Sequence, residues 1–373
     1  MSAAAEHKSY LPIVFAADGN FSVPLAIAVE SLLVHARPET RYDVYVLDDG
    51  VQGFAKEYLE ALHGRHDFKL TYLPVADMVQ QVATTHYFPR VSFARFLMPA
   101  MLPPEAGPRV FYSDADVFIC DDLSDLYGMD MQGRALGVVQ ELAVLAEPGH
   151  THVKKWMKLF GMGAAGGAEP LYCNSGNLLF DRALWVQRGY AEQIMECSRS
   201  EAGAAARFPD QDIMNAVCRQ DMVLMPPRYC AIPLYAEHYA CADPGSHFGG
   251  SCRYRIEELR AALENPALIH FAGQKPRVLE GPRYPLEERF IQFWKQSAWR
   301  DYMPFNPRVG SYSPSRFIKQ NVPISAQLGI LRRELLKYTA LSCMPLPKRR
   351  HYAEQRNGLR TVLRNARAVL PAN

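Results

Sequence analysis

Eight cysteines are spread along this 373-residue chain, and no two of them are spaced as Cys-x-x-Cys. Met1 to Ser9 is polar and lacks the apolar core of a secretory leader. No apolar run approaches the roughly 18 residues that a membrane-spanning helix needs. There is no internal repeat. A net charge of +2, with 21% charged residues, suits neither a nucleic-acid-binding protein nor a disordered one. These absences lead us to expect a cytoplasmic protein with reduced thiols, several of them packing as small apolar groups.

What the chain has is apolar content, at 49%, enough for a large core. Its charge is unevenly spread. Residues 301–373 hold 13 Lys and Arg against 3 Asp and Glu, leaving 28 against 36 for residues 1–300. We therefore expect a globular domain over 1–300 and a basic extension over 301–373.

Leu11–Ala17, Tyr42–Leu47 and Phe68–Leu73 read as buried strands, separated by helices over Phe21–His35 and Gly53–His63. Nearly continuous apolar strands alternating with helices predict an α/β fold with a parallel sheet covered on both faces. A further helix over Arg90–Met101 precedes a strand over Val110–Ser113. Strands are also expected at Ala135–Gln140, Tyr172–Phe180, Met222–Met225 and Ala267–Phe271, with helices over Trp185–Arg199 and Gln211–Arg219. Gly161–Gly167 reads as a mobile loop.

The strand ending at Ser113 runs straight into Asp114 and Asp116. Two hard oxygen ligands fixed at a strand end suit a divalent metal that holds a phosphate group. The pattern arises by chance in a chain this long, and it occurs again at Asp210-Gln-Asp212. Five other segments give it context. Ala16-Ala-Asp-Gly-Asn20 offers backbone amides and two small polar side chains beyond the first strand, where open sheets bind ligands; equally, Asp18 could simply cap the next helix. Arg95 interrupts an apolar helix, as either a snorkelling side chain or an anion contact. Tyr172-Cys-Asn-Ser-Gly-Asn177 and Pro209-Asp-Gln-Asp212 fit a sugar-binding rim, or else turn chemistry and a helix-dipole preference. His270, Gly273 and Lys275 bring an imidazole, a side-chain-free approach and an ammonium within six residues.

In this order and spacing the segments FAADGN, SFARFLMPAML, FYSDADVFI, YCNSGNLLFD with PDQDIMN, and IHFAGQKP resemble the retaining, nucleotide-sugar-dependent glycosyltransferases of family 8. These have a GT-A fold, a Rossmann-like, mostly parallel central sheet flanked by helices. The resemblance covers roughly residues 11–276. It implies that Asp114, Asp116 and His270 bind Mn²⁺ or Mg²⁺. It also implies that Ala16, Asp18 and Asn20 hold the uridine of a UDP-sugar, and that Gly273 and Lys275 hold the diphosphate. Arg95, Asn174, Ser175, Asp210 and Gln211 would then contact the donor sugar, from UDP-galactose or UDP-glucose, with lipopolysaccharide or another surface glycan as acceptor. Two departures stand out: Ser113 replaces the usual Leu, and Gln140-Glu141 stand where many relatives carry a short acidic acceptor-contacting segment.

An amide oxygen is a poor nucleophile, so Gln211 is expected to stabilise a cationic anomeric centre while Asp210 fixes the sugar. A nucleotidyltransferase would need a Gly-rich N-terminal loop followed by a basic residue, which Ala16–Asn20 lacks. A catalytically inactive nucleotide-sugar-binding protein is disfavoured because every metal and donor position carries a workable side chain. In the extension, Gln327–Leu341 and residues 352–370 carry apolar and basic residues on separate helical faces. Such helices suit an anionic membrane surface, which would place the protein at the inner face of the plasma membrane; they also suit packing on the domain with the arginines in water.

Overall fold

Along Leu11–Asp18 (β1), Ile13 and Phe15 enter one apolar cluster while Val14 between them enters the other, and all three are fully buried. A strand packed on both faces must be apolar at consecutive positions, which is why the sequence shows a run and no alternation. The computed structural model describes residues 10–75, 91–142, 151–161, 171–233, 252–273, 275–305, 314–344 and 348–370. The expected loop over Gly161–Gly167 lies, beyond Gly161, outside the described residues.

Seven strands form the main sheet in the order β3-β2-β1-β4-β7-β6-β8. They are β1, β2 (Tyr42–Asp49), β3 (Lys69–Pro74), β4 (Arg109–Asp114), β6 (Leu136–Val138), β7 (Asn177–Asp181) and β8 (Met222–Leu224). The β3-β2-β1-β4 half is parallel, as the sequence predicts. By contrast, β7 is inserted antiparallel to both β4 and β6. Chain order reverses beside β1, and at such a switch point open sheets bind ligands beyond the strand ends.

Helix α1 (Ser22–Val34) and the tail helices Ile324–Cys343 and Arg349–Val369 share the apolar cluster on one side of the sheet. Val91–Met101, with Phe93, Phe96 and Met98, packs on the other. Of the long helix expected over Trp185–Arg199, the structure has two pieces, Arg182–Gln187 and Tyr190–Arg199. Gly189 between them adopts φ 63°, a left-handed cap that ends one helix and redirects the chain. A helix at Ile256–Glu264 lies between the strands expected at Met222–Met225 and Ala267–Phe271, where no element was expected.

A second, two-stranded sheet pairs β5 (Val117–Ile119) antiparallel with β9 (Leu268–His270). It sets Val117 opposite His270, and Phe271 N donates to Asp116 O at 2.9 Å. Residues from both ends of the domain therefore meet beside the mouth of β4.

Candidate active site

Asp114 ends β4 and Asp116 precedes β5, so two short strands fix both carboxylates. With His270 they form the one group of potential metal-ligating side chains among the described residues, their ligand atoms all within 4.8 Å of one another. His270 Nε2 lies 3.4 Å from Asp116 Oδ1 and 3.8 Å from Asp114 Oδ2. The donor set fits a divalent cation: two hard oxygens and an imidazole converge on one spot. Lys275 supplies a positive charge there already. Its ammonium is paired with Asp116 and donates to Phe271 O at 2.8 Å.

Burial pushes the Asp114 carboxyl above its usual range, against the pull of Arg95. Burial would do the same to Asp116, but Lys275 and His270 outweigh it and hold that carboxyl far below. Burial opposes charge on His270, yet Asp116 raises the imidazole well above its ordinary value. The acid pair thus splits its roles, with Asp116 firmly anionic and Asp114 the readier proton holder.

Arg95 does not snorkel. Its side chain is 5% exposed and bridges Asp114 Oδ1, at 3.2 Å, and Asp210 Oδ2, at 3.3 Å. It also donates to Ser175 O and Ser92 O, both at 2.6 Å, and stacks over the Tyr112 ring at 4.8 Å. Such burial of a guanidinium is tolerable only when partners surround it. Tyr112 in turn donates to Asp114 Oδ1 at 2.8 Å.

Asp210 and Gln211 sit in the first turn of Pro209–Cys218 and are buried. Asp210 Oδ2 accepts from Ser175 Oγ at 3.2 Å, and Gln211 Oε1 accepts from Ser175 N at 3.1 Å. Asn174 donates to Glu141 Oε2 at 2.7 Å and accepts from Gly176 N at 2.8 Å. Asp18 caps the turn after β1, accepting from Asn20 N at 2.8 Å and Phe21 N at 3.0 Å. Ala16 pairs with Asp114 across the β1–β4 ladder. Gly273 adopts φ 72°, a conformation suited to glycine. Asp114, Asp116, His270, Lys275, Arg95, Ser175, Asp210 and Gln211 thus form one linked cluster, with Ala16 one strand away.

Three features escaped the sequence reading. Gly176 leaves room between Asp114 and His270, and its carbonyl accepts from Asp114 N at 2.7 Å. Asn177 lies 3.1 Å from His270 Nδ1 and is itself held by Ser113 Oγ at 3.1 Å; that is the task of the serine standing in place of leucine. Behind Gln211, Asp212 Oδ1 accepts from Tyr172 at 2.5 Å and lies 2.9 Å from His152 Nε2, while Gln211 Nε2 donates to Tyr172 at 3.3 Å. The small and amide residues of Tyr172–Asn177 were the available signal, but spacing alone does not tell a rim from a support.

A mostly parallel sheet whose chain order reverses beside β1, with an acidic pair and an imidazole at the strand ends there, defines a GT-A glycosyltransferase architecture. The chain matches the Glycosyl transferase family 8 sequence profile over residues 12–276, and it belongs to that family. Two curated relatives are General stress protein A of Bacillus subtilis, 22% identical over 77% of this chain and 94% of its own, and Lipopolysaccharide 1,2-glucosyltransferase of Escherichia coli, 21% identical over 79% and 80%. Among solved structures, the galactosyltransferase LgtC in complex with donor and acceptor sugar analogs superposes with a TM-score of 0.57 at 22% identity, covering 76% of this chain and 95% of that one. The bifunctional glycosyltransferase WbbM gives 0.63 at 18% identity, covering 80% of this chain and 52% of that one. At these identities the likeness speaks to the fold.

Proposed function

We propose that the protein transfers a hexose, galactose or glucose, from its UDP conjugate to a glycan acceptor of the lipopolysaccharide or surface-glycan class, retaining anomeric configuration. The observation that carries this reading is the junction of two half-sites through Arg95: the Asp114–Asp116–His270 group on one side, Asp210 and Gln211 on the other.

A divalent ion, Mn²⁺ or Mg²⁺, held by Asp114, Asp116 and His270 would supply positive charge to the diphosphate leaving group. Lys275 lies where an ammonium can transfer its pairing from Asp116 to phosphate oxygens. Arg95 and Ser175 hold Asp210 in one orientation, leaving its second oxygen for sugar hydroxyls. The Gln211 amide is pinned at both ends, by Ser175 N and Tyr172, so its dipole is fixed before any cationic charge develops on the donor. In the step we favour, the anomeric C–O bond to UDP breaks and the acceptor hydroxyl oxygen bonds to the same face of that carbon. The hydroxyl proton passes to the departing phosphate oxygen.

A panel of nucleotide sugars, tested with and without Mn²⁺ by thermal shift and by product formation, checks the reading. Stabilisation by one UDP-hexose with transfer supports it; stabilisation without turnover favours a binding protein. Asp116→Asn should lose transfer and metal-dependent nucleotide binding together, and full activity in that variant would overturn the metal assignment.

A further inference from the structure

Residues 319–327, in the basic extension, reach back to the loop that follows β1. Asn321 Nδ2 donates to Gly19 O at 2.9 Å. Gln320 Nε2 donates to Asn20 O at 2.6 Å and to Pro304 O at 2.9 Å. The N–H groups of Asn20 and Phe21 are already taken by Asp18, and Gly19 O also accepts from Ser22 Oγ at 2.9 Å. The loop is therefore held by Asp18 on its amide side and by two tail carboxamides on its carbonyl side.

The clasp is built before it touches the loop. Gln327, 3% exposed, accepts from Lys319 N at 2.7 Å and donates to Lys319 O at 3.0 Å and Val322 O at 2.9 Å, closing the turn on itself. Ile318 and Ile324, both fully buried, anchor the turn in the core on either side. Asn321 adopts φ 59°, a left-handed conformation that asparagine accepts more readily than most residues. Its Oδ1 is buried with no hydrogen-bond partner among the described residues. The side chain is thus placed for the bond it gives, and its acceptor is left unused.

We propose that Gln320 and Asn321 are positioning residues for the nucleoside end of the donor, so that the C-terminal extension completes the donor site. This rests on the reading above, in which Asp18 and Asn20 hold the uridine. A loop fixed before the ligand arrives loses less conformational entropy on binding, so the clasp acts through affinity. Neutral carboxamides add no charge, so the diphosphate end should not sense them.

The full-length protein carrying Gln320→Ala and Asn321→Gly tests this, the glycine preserving the left-handed backbone. Calorimetric titration with UDP and, separately, with inorganic pyrophosphate, both with Mn²⁺, reads the two ends of the site. We expect UDP affinity to fall about tenfold, the scale of one or two net hydrogen bonds, with pyrophosphate affinity unchanged. Donor KM should rise with kcat at saturating donor unchanged. Unchanged UDP affinity, or equal loss for both ligands, overturns the proposal. Wild-type protein that binds UDP no better than pyrophosphate would sink the nucleotide-sugar reading itself. Should the double variant fail to fold, Asn321→Gly alone is read by the same criteria.

Discussion

A β-carbon at Gly176 would lie 2.5 Å from His270 Cε1 and 2.5 Å from Asp114 Oδ2, so only a hydrogen fits between imidazole and carboxylate at that point. Gly176→Ala must push the two side chains apart, at a typical overpacking cost of about 1–3 kcal/mol. We expect Mn²⁺ affinity to fall at least about tenfold, as when a metal ligand's support is lost, with the fold retained. Electron paramagnetic resonance titration of free Mn²⁺, alongside circular dichroism, reads both; unaltered Mn²⁺ affinity would count against this geometry.

Asn177 contacts the ring nitrogen that faces away from the carboxylates, and Ser113 fixes Asn177. The amide and the ring protonation are linked: Nδ2 suits a bare Nδ1, whereas Oδ1 suits a protonated one. Asn177→Leu should weaken metal binding by about 10–100-fold, the usual range for such supports. Ser113→Ala should have a smaller effect of the same sign. Metal-dependence curves of transfer for both variants give the order, and the reverse order would refute the relay.

Tyr172 joins Gln211 to Asp212. Tyr172→Phe leaves Asp212 with His152 and the Phe208 amide but deprives Gln211 Nε2 of its acceptor. We expect kcat to fall about tenfold or more with donor KM little changed, the pattern of a contact that matters only in the transition state. A stability loss of about 1.5–3 kcal/mol should accompany it, as for a hydrogen bond to a charged group. A rise in KM with constant kcat would assign Tyr172 to substrate binding instead.

Protons compete with a cation for this site. His270 and Asp114 both have raised proton affinities, the first from Asp116 against the cost of burial, the second from burial. A cation that takes Nε2 and the carboxylate displaces any proton bound there, so metal affinity should rise with pH through the neutral range and fall in acid. Calorimetry of Mn²⁺ binding in buffers of different ionisation enthalpy should show net proton release near pH 7. Zero release would mean that the imidazole is already neutral.

The parallel half of the sheet was legible because β1 and β2 are buried on both faces, which forces apolar residues at consecutive positions. The Asp114, Asp116 and His270 positions were legible as residue types at strand ends. The antiparallel insertion of β7 was not, since an apolar strand carries no mark of its direction. Reading one helix through Gly189 missed a left-handed break that only backbone geometry settles. Periodicity found both tail helices, Ile324–Cys343 and Arg349–Val369, but could not say what their apolar faces cover. In the structure Leu331, Leu359, Val362 and Ala366 of those faces are fully buried in the cluster beneath the sheet. The two amides reaching Gly19 and Asn20 act across about 300 positions, a separation no local pattern reports.

All seven strands of the main sheet end by Leu224, whereas the imidazole arrives only with Leu268–His270. During synthesis the scaffold can therefore zip up, with Arg95 and Tyr112 already beside Asp114, while the imidazole is still more than 150 positions downstream. Long-range pairings of this sort close late because chain entropy must be overcome first. The nascent enzyme would thus acquire its shape before its chemistry, and a ribosome stalled near residue 260 would display a well-formed but inert sheet.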